Sequence, residues 1–207
     1  TWCANTAVTG GGAVRAAGTG ALVVRNDGAA DNAAAAGGVY RAIDFTRADV
    51  AFSTFVGNIG STSGAVLYAT DLTEASSLDH VAATGNDGTA FEATGVVADP
   101  VSFNGFLSNT ADFGGDWTAV VPSDSLVFDD SIPIYNNYPA SCETLSLQPH
   151  PTVGTPFIDV GPDNLDEDGS LTDIGLSGGP DADPLLFLDL DGDGFSGLED
   201  CDDTRAD

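Results

Sequence analysis

The stretch of this chain best equipped for chemistry is DLDGDGFSGLED, residues 189–200. Asp189, Asp191 and Asp193 stand at positions 1, 3 and 5 of a twelve-residue loop, and Gly194 takes the sixth place, where the backbone must turn sharply. Phe195 would supply a main-chain carbonyl at the seventh position, and Asp200 falls at the twelfth. Alternate side chains pointing inward bring several hard oxygens to ~2.4 Å from one cation, which is calcium chemistry. Without an ion, carboxylates held so close repel one another. Asp is shorter than Glu, so the twelfth ligand would close the site through one oxygen. A fainter copy is NLDEDG, in which Asn164, Asp166 and Asp168 repeat the spacing. Its twelfth position is Gly175, which cannot ligate; Asp173 is the nearest substitute.

The elements that hold these loops must tolerate an extreme charge. The 207 residues include 27 Asp and five Glu against five Arg and no Lys, a formal net charge of −27. No cationic surface exists to neutralise phosphates, which excludes nucleic acid as a partner and argues against anionic membranes. The balance suits surroundings rich in divalent cations or salt, which screen self-repulsion. Cys3, Cys142 and Cys201 show no CxxC spacing and no Cys/His cluster, so a zinc site is not expected. No apolar run is long enough to span a bilayer as a helix. The chain starts at Thr1, and a processed protein or a piece of a longer one is the expectation.

Helix signals are sparse, and the first 130 residues read as many short strands rich in Ala, Val, Thr and Phe, punctuated by Gly and Asx. They repeat. GGAV (11–14), GGVY (37–40), SGAV (63–66), TAFE (89–92) and GDWT (115–118) align Val14, Tyr40, Val66, Phe91 and Trp117 at spacings of 26, 26, 25 and 26. Asn32, Asn58 and Asn109 each precede a register residue by eight, whereas Asn86 precedes its own by five, as if three loop residues were deleted. Two further sets keep the period: Phe52, Leu78 and Phe103, and Phe55, Val81 and Phe106. A unit of 25–26 residues built of strands and turns is one coil of a parallel β-helix. Like residues stack from coil to coil ~4.8 Å apart, and a recurring Asn can ladder to the next coil. The expected fold is all-β: a right-handed parallel β-helix of about five coils over residues 1–130, with an irregular Pro/Gly-rich cap over 131–184 and an acidic calcium-binding motif over 185–207. A β-sandwich with evenly spaced strands is the competing architecture.

FVGNIGSTSGAVLYA (55–69) and FLSNTADFGGDW (106–117) resemble the F-x-x-N repeat of bacterial surface and outer-membrane β-helix proteins. PTVGTPFIDVGPDNLDEDGSLTDIGLSGGP (151–180) is similar to the segment that follows such coils, with Leu176-Ser177 where Ala-Tyr is usual. DLDGDGFSGLEDCDDTRAD resembles the acidic metal-binding motif appended to many secreted bacterial proteins. The resemblance implies an extracellular or cell-surface location and a bound calcium ion. In that family the sequence continues past DCDD to further cysteines, which implies a partner for Cys201 outside these residues.

Parallel β-helices also host polysaccharide lyases that pair Asp-bound calcium with an Arg or Lys base. Arg15, Arg25, Arg41 and Arg47 lie in the first two coils, and Arg15 and Arg41 follow register residues, so they should stack on one exposed face. A solvated ion-pair ladder explains them equally well. Asp79-His80 and Asp129-Asp130 are the only fragments of a hydrolytic cluster, and His150 sits between prolines. The favoured reading is an extracellular structural or adhesive module of a cell surface or filament, stabilised by calcium and able to associate with itself. A polysaccharide-binding or polysaccharide-cleaving β-helix is the alternative.

Overall fold

Corners build this fold. In the computed structural model, which describes residues 2–96, 101–119, 126–128, 157, 171–176, 178 and 179, left-handed backbone recurs in columns. One column is Gly11, Gly37 and Gly64; another is Asn26, Phe52, His80 and Phe103; a third is Ala4, Asp31, Gly57, Gly85 and Ser108. Gly, Asn and Asp enter this region readily, and each such residue turns the chain from one short strand to the next.

The result is a parallel β-solenoid of about four turns. The first sheet stacks Trp2–Cys3, Gly28–Ala30, Thr54–Val56, Ala82–Thr84, Gly105–Leu107 and Leu126–Phe128. The second holds Thr6–Ala7, Ala33–Ala36 and Ile59–Ser63. The third holds Val14–Ala17, Tyr40–Ile43, Leu67–Leu72, Thr89–Gly95 and Ala111–Gly115, and the fourth Ala21–Arg25, Arg47–Ala51, Leu78–Asp79 and Val101–Ser102. Every pairing is parallel, and the chain visits the four sheets in rotation. In the fourth turn the second sheet shrinks to a single bridge, Ile59 to Asp87. That is where the Asn86 spacing shows three residues missing.

The register departs from the sequence alignment in places that have identifiable causes. Val14, Tyr40 and Phe91 do share one interior column, but its other members are Leu67 and Phe113, not Val66 and Trp117. The left-handed Gly64 takes the place of Gly11 and Gly37, the first glycine of each GG pair, and a β-bulge between Gly60 and Ser63 supplies the extra residue. Val66 then lies one step earlier, where its carbonyl accepts from the amide of Val39, and is buried there. The longer bend before Leu78 shifts the next strand by one more, so Phe52 and Phe103 flank His80 rather than Leu78, and Phe55 and Phe106 flank Ala83 rather than Val81. Trp117 is in a short 3-10 helix, Asp116–Ala119, and folds back over Phe91.

Inside, aromatic rings alternate between the first and third sheets. Tyr40, Phe55, Phe91 and Phe106 meet edge to face at 6.1, 6.0 and 6.3 Å, and Phe106 meets Phe113 at 5.0 Å. Such pairs add to the stabilisation from burial. The small Ala29 and Ala83 leave room between them.

The outer face of the first sheet is buried as well, because a strap covers it. Phe157 lies on Gly105, where a Cβ would come within 2.0 Å of the ring. Gly175 N donates to His80 O at 2.8 Å, Leu176 N to Thr54 Oγ1 at 2.9 Å, and Asn26 Nδ2 to Gly178 O at 3.1 Å. The described residues of 157–179 therefore lie along the side of the column, from the fifth strand of the first sheet, Gly105–Leu107, back toward the first turn.

Candidate functional site

Asparagine side chains tie the turns together. Nδ2 of Asn5, Asn32, Asn58 and Asn86 donates to Oδ1 of Asn32, Asn58, Asn86 and Asn109 respectively, at 2.8, 3.0, 3.0 and 2.8 Å. The same Oδ1 atoms accept from the backbone amides of the preceding asparagines at 2.9–3.1 Å. The second Nδ2 hydrogen goes to carbonyls of neighbouring strands, Ala29 for Asn58, Phe55 for Asn86 and Ala83 for Asn109. Asn32 and Asn58 are fully buried, so this saturation is what lets an amide column sit in the protein. Each asparagine follows a left-handed residue, and that bend aims its side chain along the column. Four of the five members were legible from spacing; Asn5 was not, because it precedes the first register residue by nine.

Three clusters of chemistry-bearing residues stand beside the ladder. At the first turn, Asp27 Oδ2 accepts from Trp2 Nε1 at 2.7 Å and from the Tyr40 hydroxyl. Burial, and then the Asp27 charge, push the Tyr40 phenol above its ordinary range, so it stays protonated and donating. These residues, with Val14, Leu22, Val23, Val24, Arg25 and Asn26, line an open cavity of about 320 Å³.

The second cluster is Asp79, His80 and Ser102. His80 Nδ1 lies 3.0 Å from Asp79 Oδ1, and the Ser102 hydroxyl donates to that same oxygen at 3.0 Å. The hydroxyl thus meets the carboxylate and not the imidazole, whereas nucleophilic catalysis needs the base on the hydroxyl. His80 is 2% exposed, its ring sandwiched between Phe52 and Phe103 at 5.1 and 5.0 Å. All three residues of that sandwich are left-handed, a costly backbone for bulky side chains, held by ring stacking and the strap.

The third cluster faces outward on the third sheet. Arg15, Arg41, Tyr68 and Glu92 share one register, as expected for the two arginines. Arg41 lies 5.9 Å from the Tyr68 ring centroid and donates to Thr9 O at 2.8 Å. Arg47 pairs with Asp49 at 3.0 Å.

The residues expected to bind calcium, Asp189, Asp191, Asp193, Phe195, Asp200, Asn164, Asp166 and Asp168, lie outside the described residues, as do Cys142 and Cys201. Asp173, the substitute ligand, is described and buried in the strap. Among the described residues no three His, Cys, Asp or Glu gather as a metal site, and no helix is long and apolar enough to cross a membrane. No family model, curated protein or solved structure matches this chain.

Proposed function

We propose that this chain is an extracellular structural or adhesive module of a bacterial cell surface or filament, a stiff column whose acidic C-terminal loops are ordered by calcium. The ladder from Asn5 to Asn109 carries the reading. It ties each turn to the next with buried, saturated hydrogen bonds, a device for rigidity along an axis and not for turnover. Calcium enters through Asp189, Asp191, Asp193, the Phe195 carbonyl and Asp200, with Asn164, Asp166 and Asp168 as a second loop. Affinity in the extracellular range, on the order of 10⁻⁴ to 10⁻³ M, suits such a loop.

Hydrogen exchange with and without EDTA tests the proposal. Chelation should raise exchange across 189–203 and leave the amides of the asparagine ladder protected, since the column does not use the ion. Unchanged protection across 189–203 would mean that the acidity is surface charge only. A polysaccharide-binding reading is favoured by one observation, the outward Arg15–Arg41–Tyr68 column, where a guanidinium and an aromatic face stand in register. Incubation with calcium and acidic polysaccharides, followed by a search for complexes and unsaturated products, separates the two readings.

A further inference from the structure

Among the described residues, Arg47 is the only one of the four arginines in the first two turns that pairs with a carboxylate, Asp49 at 3.0 Å. Arg15 and Arg41 instead stand opposite each other on neighbouring strands, on the outer side of the third sheet. Tyr68 and Glu92 occupy the next two rungs of the same column. Like charges directly opposite one another weaken a sheet unless something neutralises them. The chain has 32 acidic residues, yet none of the described ones forms an ion pair with Arg15 or Arg41.

Arg41 is held in place before any ligand arrives. Its Nη1 donates to Thr9 O at 2.8 Å, and its Cδ packs so closely on Gly10 that a Cβ there would come within 2.4 Å. Its guanidinium carbon lies 5.9 Å from the Tyr68 ring centroid, and its Nε is buried without a hydrogen-bond partner. Arg15, one rung away, is exposed and makes no hydrogen bond with a described residue. Glu92 bounds the patch, its Oε2 accepting from Gly64 N at 3.2 Å. The face thus offers two guanidiniums on strands ~4.8 Å apart, then an aromatic ring, then a carboxylate that ends it.

Charge and geometry select the occupant. A guanidinium fork matches a carboxylate with two parallel hydrogen bonds, and a ring beside it offers an apolar surface to a sugar. A polyanion of high charge density would be repelled by a chain of net charge −27, wherever its individual acids lie. A polymer with one carboxylate per sugar is a sparser anion, and two arginines suffice to engage it. We propose that Arg15, Arg41 and Tyr68 bind a linear polysaccharide of the uronate class. It lies along the column axis, with carboxylates on Arg15 and Arg41 and a sugar ring beside Tyr68. The site rests on the polysaccharide-binding reading, supplies its ligand class and requires no calcium.

Calorimetric titration of the full chain with an oligogalacturonate, in EDTA so that calcium cannot bridge two acidic molecules, reads this directly. The expected result is binding that weakens as sodium chloride is raised, because exposed ion pairs are screened. Arg15→Gln and Arg41→Gln should each weaken it by about tenfold, the worth of a charged hydrogen bond. Arg47→Gln should leave it unchanged, since that guanidinium is already paired with Asp49. The methyl-esterified oligomer keeps the sugar rings without the charge and should bind far more weakly. Unchanged urea midpoints verify that the variants fold. Binding that both glutamine variants leave intact, that the methyl ester matches, or that appears only with calcium would overturn this site while the polysaccharide-binding reading survives. No binding with or without calcium would overturn both.

Discussion

The two ends of the column begin from the same parts and are finished differently. Each has ladder asparagines, a sheet-three strand carrying an interior residue, and an aromatic ring nearby. At the far end the 3-10 helix brings Trp117 over Phe91 at 6.1 Å, and Asp112 takes the place of a further asparagine. At the near end Tyr40 and Trp2 converge on Asp27, but the space beyond Val14 and Leu22 stays open. A solenoid satisfies its backbone only between turns, so what closes each end decides which surface remains available. Among the described residues one end carries a plug, Trp117, and the other an open cavity.

The largest effect that would sharpen this contrast is on the two tryptophans. Trp117→Ala removes a fully buried ring from the interior, and the expected cost is roughly 3–5 kcal/mol by urea unfolding. Trp2→Ala removes a ring that is 39% exposed, and under monomeric conditions it should cost less than about 1 kcal/mol. Similar costs for the two would mean that the near end is as closed as the far one.

The ladder offers the next comparison. Asn58 is fully buried, and its removal leaves Asn32, Ala29 and Asn86 each short of a partner. Asn58→Ala should cost about 3 kcal/mol, because unsatisfied buried groups lose their full hydration. Asn5 is half-buried at the near end and gives up only its side-chain bond to Asn32, its backbone amide keeping the other, so Asn5→Ala should cost about 1 kcal/mol. Thermal or urea unfolding of the two variants measures the gradient. A ladder whose first rung matters as much as its middle would argue that the first turn is covered in the monomer.

These contrasts also show what spacing can and cannot reveal. The asparagines were legible because one residue type fills one special place, a side chain following a left-handed bend, and no other side chain offers both donor and acceptor at that length. The missing residues before Phe91 were legible for the same reason, since a fixed marker exposes a deletion. The apolar register was less legible. Val66 and Leu67 are equally good core residues, and only the left-handed Gly64 and the bulge decide between them. Leu78 keeps the period with Phe52 and Phe103, yet His80 completes their stack, because the longer bend before Leu78 shifts that strand. The strap's route had no periodic signal at all. Its contacts with Gly105 and Thr54 join positions far apart in the chain. The calcium loops read clearly as spacing, but they lie outside the described residues.

The smallest expected effect concerns how the far end is terminated. Asp112 is half-buried, and burial raises its carboxyl above the usual range, while the hydrogen bond from Asn109 pulls it partly back. The folded protein therefore holds this proton more tightly than the unfolded chain does. Its contribution to stability is fully present below the ordinary carboxylate range and is lost as pH rises through the folded value. At neutral pH an ionised Asp112 is a poorer terminator than a neutral amide of the same shape. Asp112→Asn keeps the acceptor for Asn109 and removes the charge, so the variant should unfold at a higher urea concentration than the parent at pH 7. The gap should close as the pH is lowered toward 3, where the parent is protonated too. A variant less stable at pH 7 would show that the charge itself strengthens the last rung, and that the plug ends on a carboxylate because an anion binds Asn109 better than an amide does.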